Sequence, residues 1–163
     1  MDDQTKQQFL QKIEQRQARL AVVGLGYVGL PLALSFAQSG LHVIGLDLDT
    51  RKIDAISRGE SYIEDVSTGE LQAAVQSGHL SASSDFDILR ECDAVSICVP
   101  TPLRKTGDPD ISYISAVTEE LATRLHPGMT IVLESTTYPG TTKEVLLPRL
   151  EEVSGLKAGQ DFF

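Results

Sequence analysis

An apolar run, Leu20-Ala-Val-Val23, breaks into Gly24-Leu-Gly26-Tyr-Val-Gly29, and a second apolar run, Leu41-His-Val-Ile-Gly-Leu46, ends at Asp47. Few folds place three glycines in this way. A strand that turns tightly into a helix needs Gly24 for the turn, Gly26 where backbone must approach a ligand, and Gly29 where the helix packs on the sheet. The helix is predicted to start near Tyr27, so that its unpaired N–H groups and positive dipole end hold an anion without any basic residue. Pro31 agrees, because a proline near a helix start gives up only a donor that had no partner. The pattern thus points to a pyrophosphate. Asp47 follows at close to the ~20-residue separation expected of a carboxylate that accepts from a ribose 2′-hydroxyl, which makes the ligand a dinucleotide. A carboxylate there repels a 2′-phosphate and favours NAD over NADP. Arg51 and Lys52 lie near enough to soften that preference, or to contact the adenosine ribose or the diphosphate themselves. Asp49 reads as the cap of a helix from Thr50 onward. Glycines so spaced also fit a tight turn in another α/β protein, or a different nucleotide or methyl-donor cofactor in the same crevice. Strand, glycines, helix, second strand and acid, all in register, favour the dinucleotide.

With 163 residues, 41% of them hydrophobic, the chain is long enough for one sizeable core. Its 14 basic and 23 acidic residues give a net charge of −9, which argues against nucleic acid or an anionic membrane as partner but not against a phosphate held by main-chain amides. No apolar stretch approaches the ~20 residues a membrane helix requires, and the polar, glutamine-rich amino terminus is unlike a secretory signal, so a cytoplasmic location is expected. Cys92 and Cys98, before and within the run Ala94-Val-Ser-Ile-Cys-Val99, read as buried reduced thiols on a strand. His42, His79 and His126 lack ligand-like company, and no metal is expected.

Residues 4–18 carry Phe9, Leu10 and Ile13 in a narrow helical stripe, so 1–18 is expected to be a helical extension and 19–163 the domain proper. Helices are predicted over 50–57 and 68–75, the latter stopped by Gly78, with a polar loop over 60–66 between them. A short strand near 80–84, a helical turn over 85–89, a buried strand over 93–99, a helix over 111–125, a buried strand over 129–133 and a closing helix over 141–150, interrupted by Pro148, complete the order. Alternating strands and helices with short loops call for an α/β fold, a Rossmann-like doubly wound parallel sheet with helices on both faces. Ligands of such sheets lie beyond the carboxyl ends of the strands. Three segments occupy that position: 24–29, 100–106 and Glu134-Ser-Thr-Thr-Tyr-Pro-Gly140.

These segments, together with Gly45-Leu-Asp-Leu-Asp49, Arg58-Gly-Glu-Ser-Tyr-Ile-Glu-Asp65, Cys98-Val-Pro-Thr-Pro102 and Ser135-Thr-Thr-Tyr-Pro-Gly-Thr-Thr142, resemble in order and spacing the amino-terminal domain of the UDP-glucose/GDP-mannose dehydrogenase family. That family oxidises the C6 hydroxymethyl of a nucleotide sugar to a carboxylate. The Val-Pro-Thr-Pro form, Asp108-Pro-Asp-Ile-Ser-Tyr113 and the Ser-Thr-Thr-Tyr-Pro-Gly-Thr-Thr form are more similar to its UDP-N-acetylhexosamine branch than to its UDP-glucose branch. The resemblance implies that Tyr27 and Val28 lie over the pyrophosphate, that Asp47 takes the adenosine ribose with help from Arg51 or Lys52, that Thr101 sits by the nicotinamide-side ribose and the reacting carbon, and that Val99 and Pro100 also bind the cofactor. Ser135, Thr136 and Thr137 would flank the nicotinamide end. Thr101 could instead merely end a strand, and Thr136 or Thr137 merely cap the helix near Thr141. Glu134 has a place for a general base, although the family's sugar-side acids belong to a later motif.

Oxidation to an acid takes two hydride transfers, and the resemblance implies a cysteine nucleophile, helped by lysine, asparagine and aspartate. Neither Cys92 nor Cys98 falls at that position, so no catalytic residue is expected among these 163, apart from an assisting role for Thr101. The expectation is an excised cofactor domain that binds NAD without turnover, with its UDP-sugar site and homodimer contacts in further domains and an exposed Phe162-Phe163 end. A complete, noncatalytic NAD-sensing module, or a dehydrogenase of the 6-phosphogluconate or hydroxyacyl type, would share the sheet.

Overall fold

The computed structural model describes residues 3–105 and 107–163; Thr106, in the segment after the fourth candidate strand, lies outside them. Five strands, β1 (Arg19–Val23), β2 (His42–Leu46), β3 (Leu80–Ser83), β4 (Ala94–Ile97) and β5 (Thr130–Leu133), form one sheet in the order β3-β2-β1-β4-β5. All four pairings are parallel, in registers such as Ala21↔Ile44 and Ala21↔Val95. The doubly wound sheet is thus present as expected.

The apolar runs read from the sequence are continuous because the central strands bury both faces. Along β1, Leu20 and Val22 point into one core layer and Ala21 and Val23 into the other. The first layer is closed by helices α2 (Gly29–Gln38), α3 (Thr50–Ser57) and α4 (Thr68–Gln76), through Leu30, Leu34, Ile56 and Leu71. The second is closed by α5 (Ser112–Ala122) and α6 (Leu147–Ser154), through Ile114, Leu121 and Leu150. Asp49 caps α3 by accepting from Arg51 N–H, and Ser67 caps α4 by accepting from Glu70 N–H. An amino-terminal helix, α1 (Asp3–Glu14), precedes the sheet; Leu10 and Ile13 on it are exposed, and Lys12 reaches Asp93 at 2.5 Å.

Four local expectations change. Helix α2 begins at Gly29, with Tyr27 and Val28 in the turn before it. Strand β5 is not fully buried: it is the outermost strand, and Val132 is 39% exposed. Pro148 does not interrupt the last helix but stands in its first turn, after a π-helical stretch over Thr142–Leu146. Finally, Phe162 is not exposed. It is 3% exposed within the second layer, while Phe163 accepts from Ile131 N–H at 2.5 Å and donates to Met129 C=O at 2.9 Å, along the outer edge of β5.

Candidate functional site

The strand order reverses beside β1, whose successor in sequence lies on one side and whose other neighbour, β4, arrives only after β3. Loops leaving β1 and β4 therefore diverge and open a crevice at their carboxyl ends. A cavity of about 480 Å³ fills it.

Its floor is the glycine turn. Gly24 has φ +93°, a left-handed conformation that favours glycine, and a Cβ there would stand 2.6 Å from Cys98 C=O. At Gly29 a Cβ would stand 1.7 Å from Gly24 C=O, so this glycine serves packing and does not line the cavity. Gly26 is the opposite case: it lines the cavity, and a Cβ would meet nothing within 4 Å, because the space on that side belongs to the cavity. The three positions thus divide as turn, ligand approach and helix packing. Val28 supplies no side-chain cap to α2, and the first turn of that helix holds no acid, which leaves its amino end free for an anion. Tyr27 and Val28, 80% and 57% exposed, flank the mouth.

On the β2 side Asp47 and Lys52 line the cavity. Asp47 Oδ2 accepts from Leu25 N–H at 2.8 Å and from Lys52 Nζ at 2.7 Å, and Oδ1 accepts from Asp49 N–H at 2.9 Å. A carboxylate has about four lone-pair sites, so one on Oδ1 stays available to a hydroxyl. Arg51 is not brought to the site: its guanidinium turns back onto Asp49 at 2.9 and 2.8 Å and is 89% exposed. Hydrogen bonding to Arg51 holds the Asp49 carboxyl down at about 2.

Val99, Pro100 and Thr101 form the β4 wall, and Glu134, Ser135 and Thr136 the β5 wall. Ser135 Oγ donates to Val99 C=O at 2.8 Å and ties the two walls together. Thr137 lies outside the lining and hydrogen-bonds Thr141 Oγ1 at 2.7 Å, ahead of the π-helical stretch. Cys98 lies under the glycine turn and Cys92 at the far end of β4, so the two flank the strand, one just after it and one before it, rather than sitting on it. Both are buried free thiols, pushed up to about 11 by burial, and both are therefore poor nucleophiles at neutral pH.

Several lining residues escaped sequence reasoning. Tyr113, Ala116 and Val117 come from one face of α5, at helical spacing, and Leu48 and Phe86 from the ends of β2 and β3. The last four also border a second hollow of about 420 Å³ that continues to Glu120 and Arg124. The i, i+3, i+4, i+7 series from Tyr113 to Glu120 was visible in the sequence, but a core-facing stripe looks the same until the sheet order is known. Among the described residues no group of three or more potential metal ligands occurs, and no helix is long and apolar enough to cross a membrane.

Comparison with known proteins agrees with this geometry. Residues 18–163 match the UDP-glucose/GDP-mannose dehydrogenase family, NAD binding domain. A GDP-mannose 6-dehydrogenase of Pseudomonas putida is 41% identical over 152 residues, which cover 88% of this chain and 34% of that protein. A UDP-N-acetyl-D-glucosamine 6-dehydrogenase of Salmonella typhi is 35% identical over 147 residues, covering 90% and 34%. Among solved structures, a GDP-mannose dehydrogenase from Pseudomonas aeruginosa, crystallised as a ternary complex, superposes with a TM-score of 0.84 at 39% identity over 89% of this chain and 34% of that one. The chain thus spans about a third of the length of these relatives. It belongs to the UDP-glucose/GDP-mannose dehydrogenase family, of which it is the NAD-binding domain.

Proposed function

We propose that this domain holds NAD extended across the crevice, with the diphosphate on Gly24–Gly29 and the amino end of α2, the adenosine ribose on Asp47 and Lys52, and the nicotinamide between Thr101 and Ser135–Thr136. The observation that carries this reading is the open approach at Gly26 next to an uncapped helix end. The second hollow, bordered by Leu48 and Phe86, extends from the Asp47 end and suits the adenine. NAD bound there would supply a hydride acceptor, while Gly24–Gly29, Asp47 and Lys52 would hold and orient it. Arg51 and Thr137 act through neighbouring loops rather than by contact.

In the full protein we assign oxidation of the C6 hydroxymethyl of a nucleotide sugar to a carboxylate, with two NAD consumed, in polysaccharide precursor synthesis in the cytoplasm by a homodimer or larger assembly. The motifs at Pro100–Pro102 and Asp108–Tyr113 support a UDP-N-acetylhexosamine substrate ahead of UDP-glucose; the 41% identity to a GDP-mannose 6-dehydrogenase favours GDP-mannose as a second reading. Burial holds both thiols within these residues in the protonated form at neutral pH, so the domain alone binds without turnover. Calorimetric titration tests the first part: NAD binds at one site and NADP more weakly. A flat NAD titration overturns it. NADH formation by the full protein with each of the three nucleotide sugars decides the second, and oxidation of none of them refutes it.

A further inference from the structure

Tyr62 lies in the stretch between α3 and α4, in a motif that the site described above does not use, and it does not line the cavity. Its ring is half-buried against the first core layer, and its hydroxyl donates to Leu25 C=O at 2.8 Å. Leu25 stands between Gly24 and Gly26 and is fully buried. Its N–H donates to Asp47 Oδ2 at 2.8 Å, and its side chain fills the space above Gly45, where a Cβ would stand 2.6 Å from Leu25 Cδ2. The residue at the centre of the turn is therefore held at its donor, its acceptor and its side chain.

The orientation of one peptide follows. In a planar trans peptide the carbonyl and the following N–H point in opposite directions. With Leu25 C=O drawn to the phenol on the core side, Gly26 N–H faces the opposite side, where Gly26 borders the cavity. Among the described residues, neither Gly26 N–H nor Tyr27 N–H donates to an acceptor within the protein. A peptide between two glycine-adjacent positions turns over at little steric expense, because glycine accepts φ of either sign. The turned-over peptide would present a carbonyl oxygen, not a donor, to the diphosphate. We infer that Tyr62 is a positioning residue for the cofactor cradle, its hydroxyl locking the Leu25–Gly26 peptide so that Gly26 N–H is aimed at the diphosphate before the ligand arrives. Burial, with Asp47 and Asp49 nearby, pushes the phenol above its ordinary value, so the donor persists through the alkaline range.

This inference rests on the NAD reading above, and the test separates the two. Tyr62→Phe keeps the ring and removes only the hydroxyl. Calorimetry with NAD, ADP and adenosine, alongside thermal melting, is expected to show about tenfold weaker NAD and ADP binding, on the scale of one lost hydrogen bond, and no matching loss for adenosine, which has no diphosphate. Equal loss for all three ligands, or no loss, overturns the inference while leaving the NAD reading intact. Failure of the wild-type domain to bind NAD and ADP overturns both. If Tyr62→Phe does not fold, amide spectra of the wild-type domain decide: addition of ADP should shift Gly26 N–H, and an unmoved Gly26 signal refutes the role.

Discussion

Replacement of Asp47 by alanine is the most informative single perturbation, because the carboxylate has two jobs that the variant separates. Structurally it accepts from Leu25 N–H, Asp49 N–H and Lys52 Nζ. Leu25 is fully buried, so its orphaned N–H costs about 1–3 kcal/mol, and the less buried Asp49 N–H adds a smaller amount. At roughly 2–4 °C per kcal/mol for a domain of this size, the orphaned Leu25 N–H alone should lower the melting temperature of Asp47→Ala by about 2–12 °C. In the ligand complex the same change removes a charge-assisted hydrogen bond from the ribose hydroxyl, about 1.5–3 kcal/mol, or roughly 10–150-fold in NAD affinity. For NADP the sign differs: repulsion of the 2′-phosphate disappears, and Lys52, freed from its 2.7 Å partner, becomes available to that phosphate. General loosening would weaken both cofactors alike. The decisive quantity is therefore the ratio of the two dissociation constants, measured by calorimetry at a temperature where the variant is folded. It should narrow by at least about tenfold. An unchanged ratio, with or without a lower melting temperature, refutes the assignment of the ribose to Asp47.

Gly26→Val should abolish NAD binding with a melting temperature close to that of the wild type, since a Cβ there meets nothing within 4 Å; retained affinity would show that the backbone is not closely approached. Gly29→Ala should instead fail to fold, because its Cβ would lie 1.7 Å from Gly24 C=O, and a cooperative wild-type-like melt would refute that packing. Ser135→Ala should lose about 1 kcal/mol of stability with its bond to Val99 C=O and weaken NAD several-fold; an unaltered melt and titration would show that the tie between the two walls is idle. Both thiols are raised in the folded state from 9.0 to about 11, so the unfolded chain ionises first, and their contribution to stability is full below pH 9.0 and declines toward about 11. A Cys92→Ala, Cys98→Ala double variant should lack that part of the alkaline decline, and an identical decline would contradict it.

The glycine turn, Asp47, the parallel sheet and the Asp49 cap were legible in the sequence because each rests on local rules: strand periodicity, spacing and capping. What could not be read depends on direction. Arg51 and Lys52 are adjacent, and only the orientation of α3 sends Lys52 to Asp47 while Arg51 folds back on Asp49. Ser135 and Thr137 are two residues apart, yet one ties β4 to β5 and the other braces Thr141. Tyr113 and Phe86 reach the cavity only through sheet order, which no local pattern encodes. The start of α2 moved to Gly29 because Tyr27 and Val28 are spent on the turn itself.

The pairing of Phe163 with Met129 and Ile131 also bears on how the molecule behaves among its own copies. An outermost strand with bare donors and acceptors recruits strands from other chains, and β5, with Val132 open to solvent, would be such a template. By occupying those positions, with Phe162 sunk into the layer beneath, Phe163 acts as a stopper. A break in that pairing should therefore leave the edge of β5 self-adhesive.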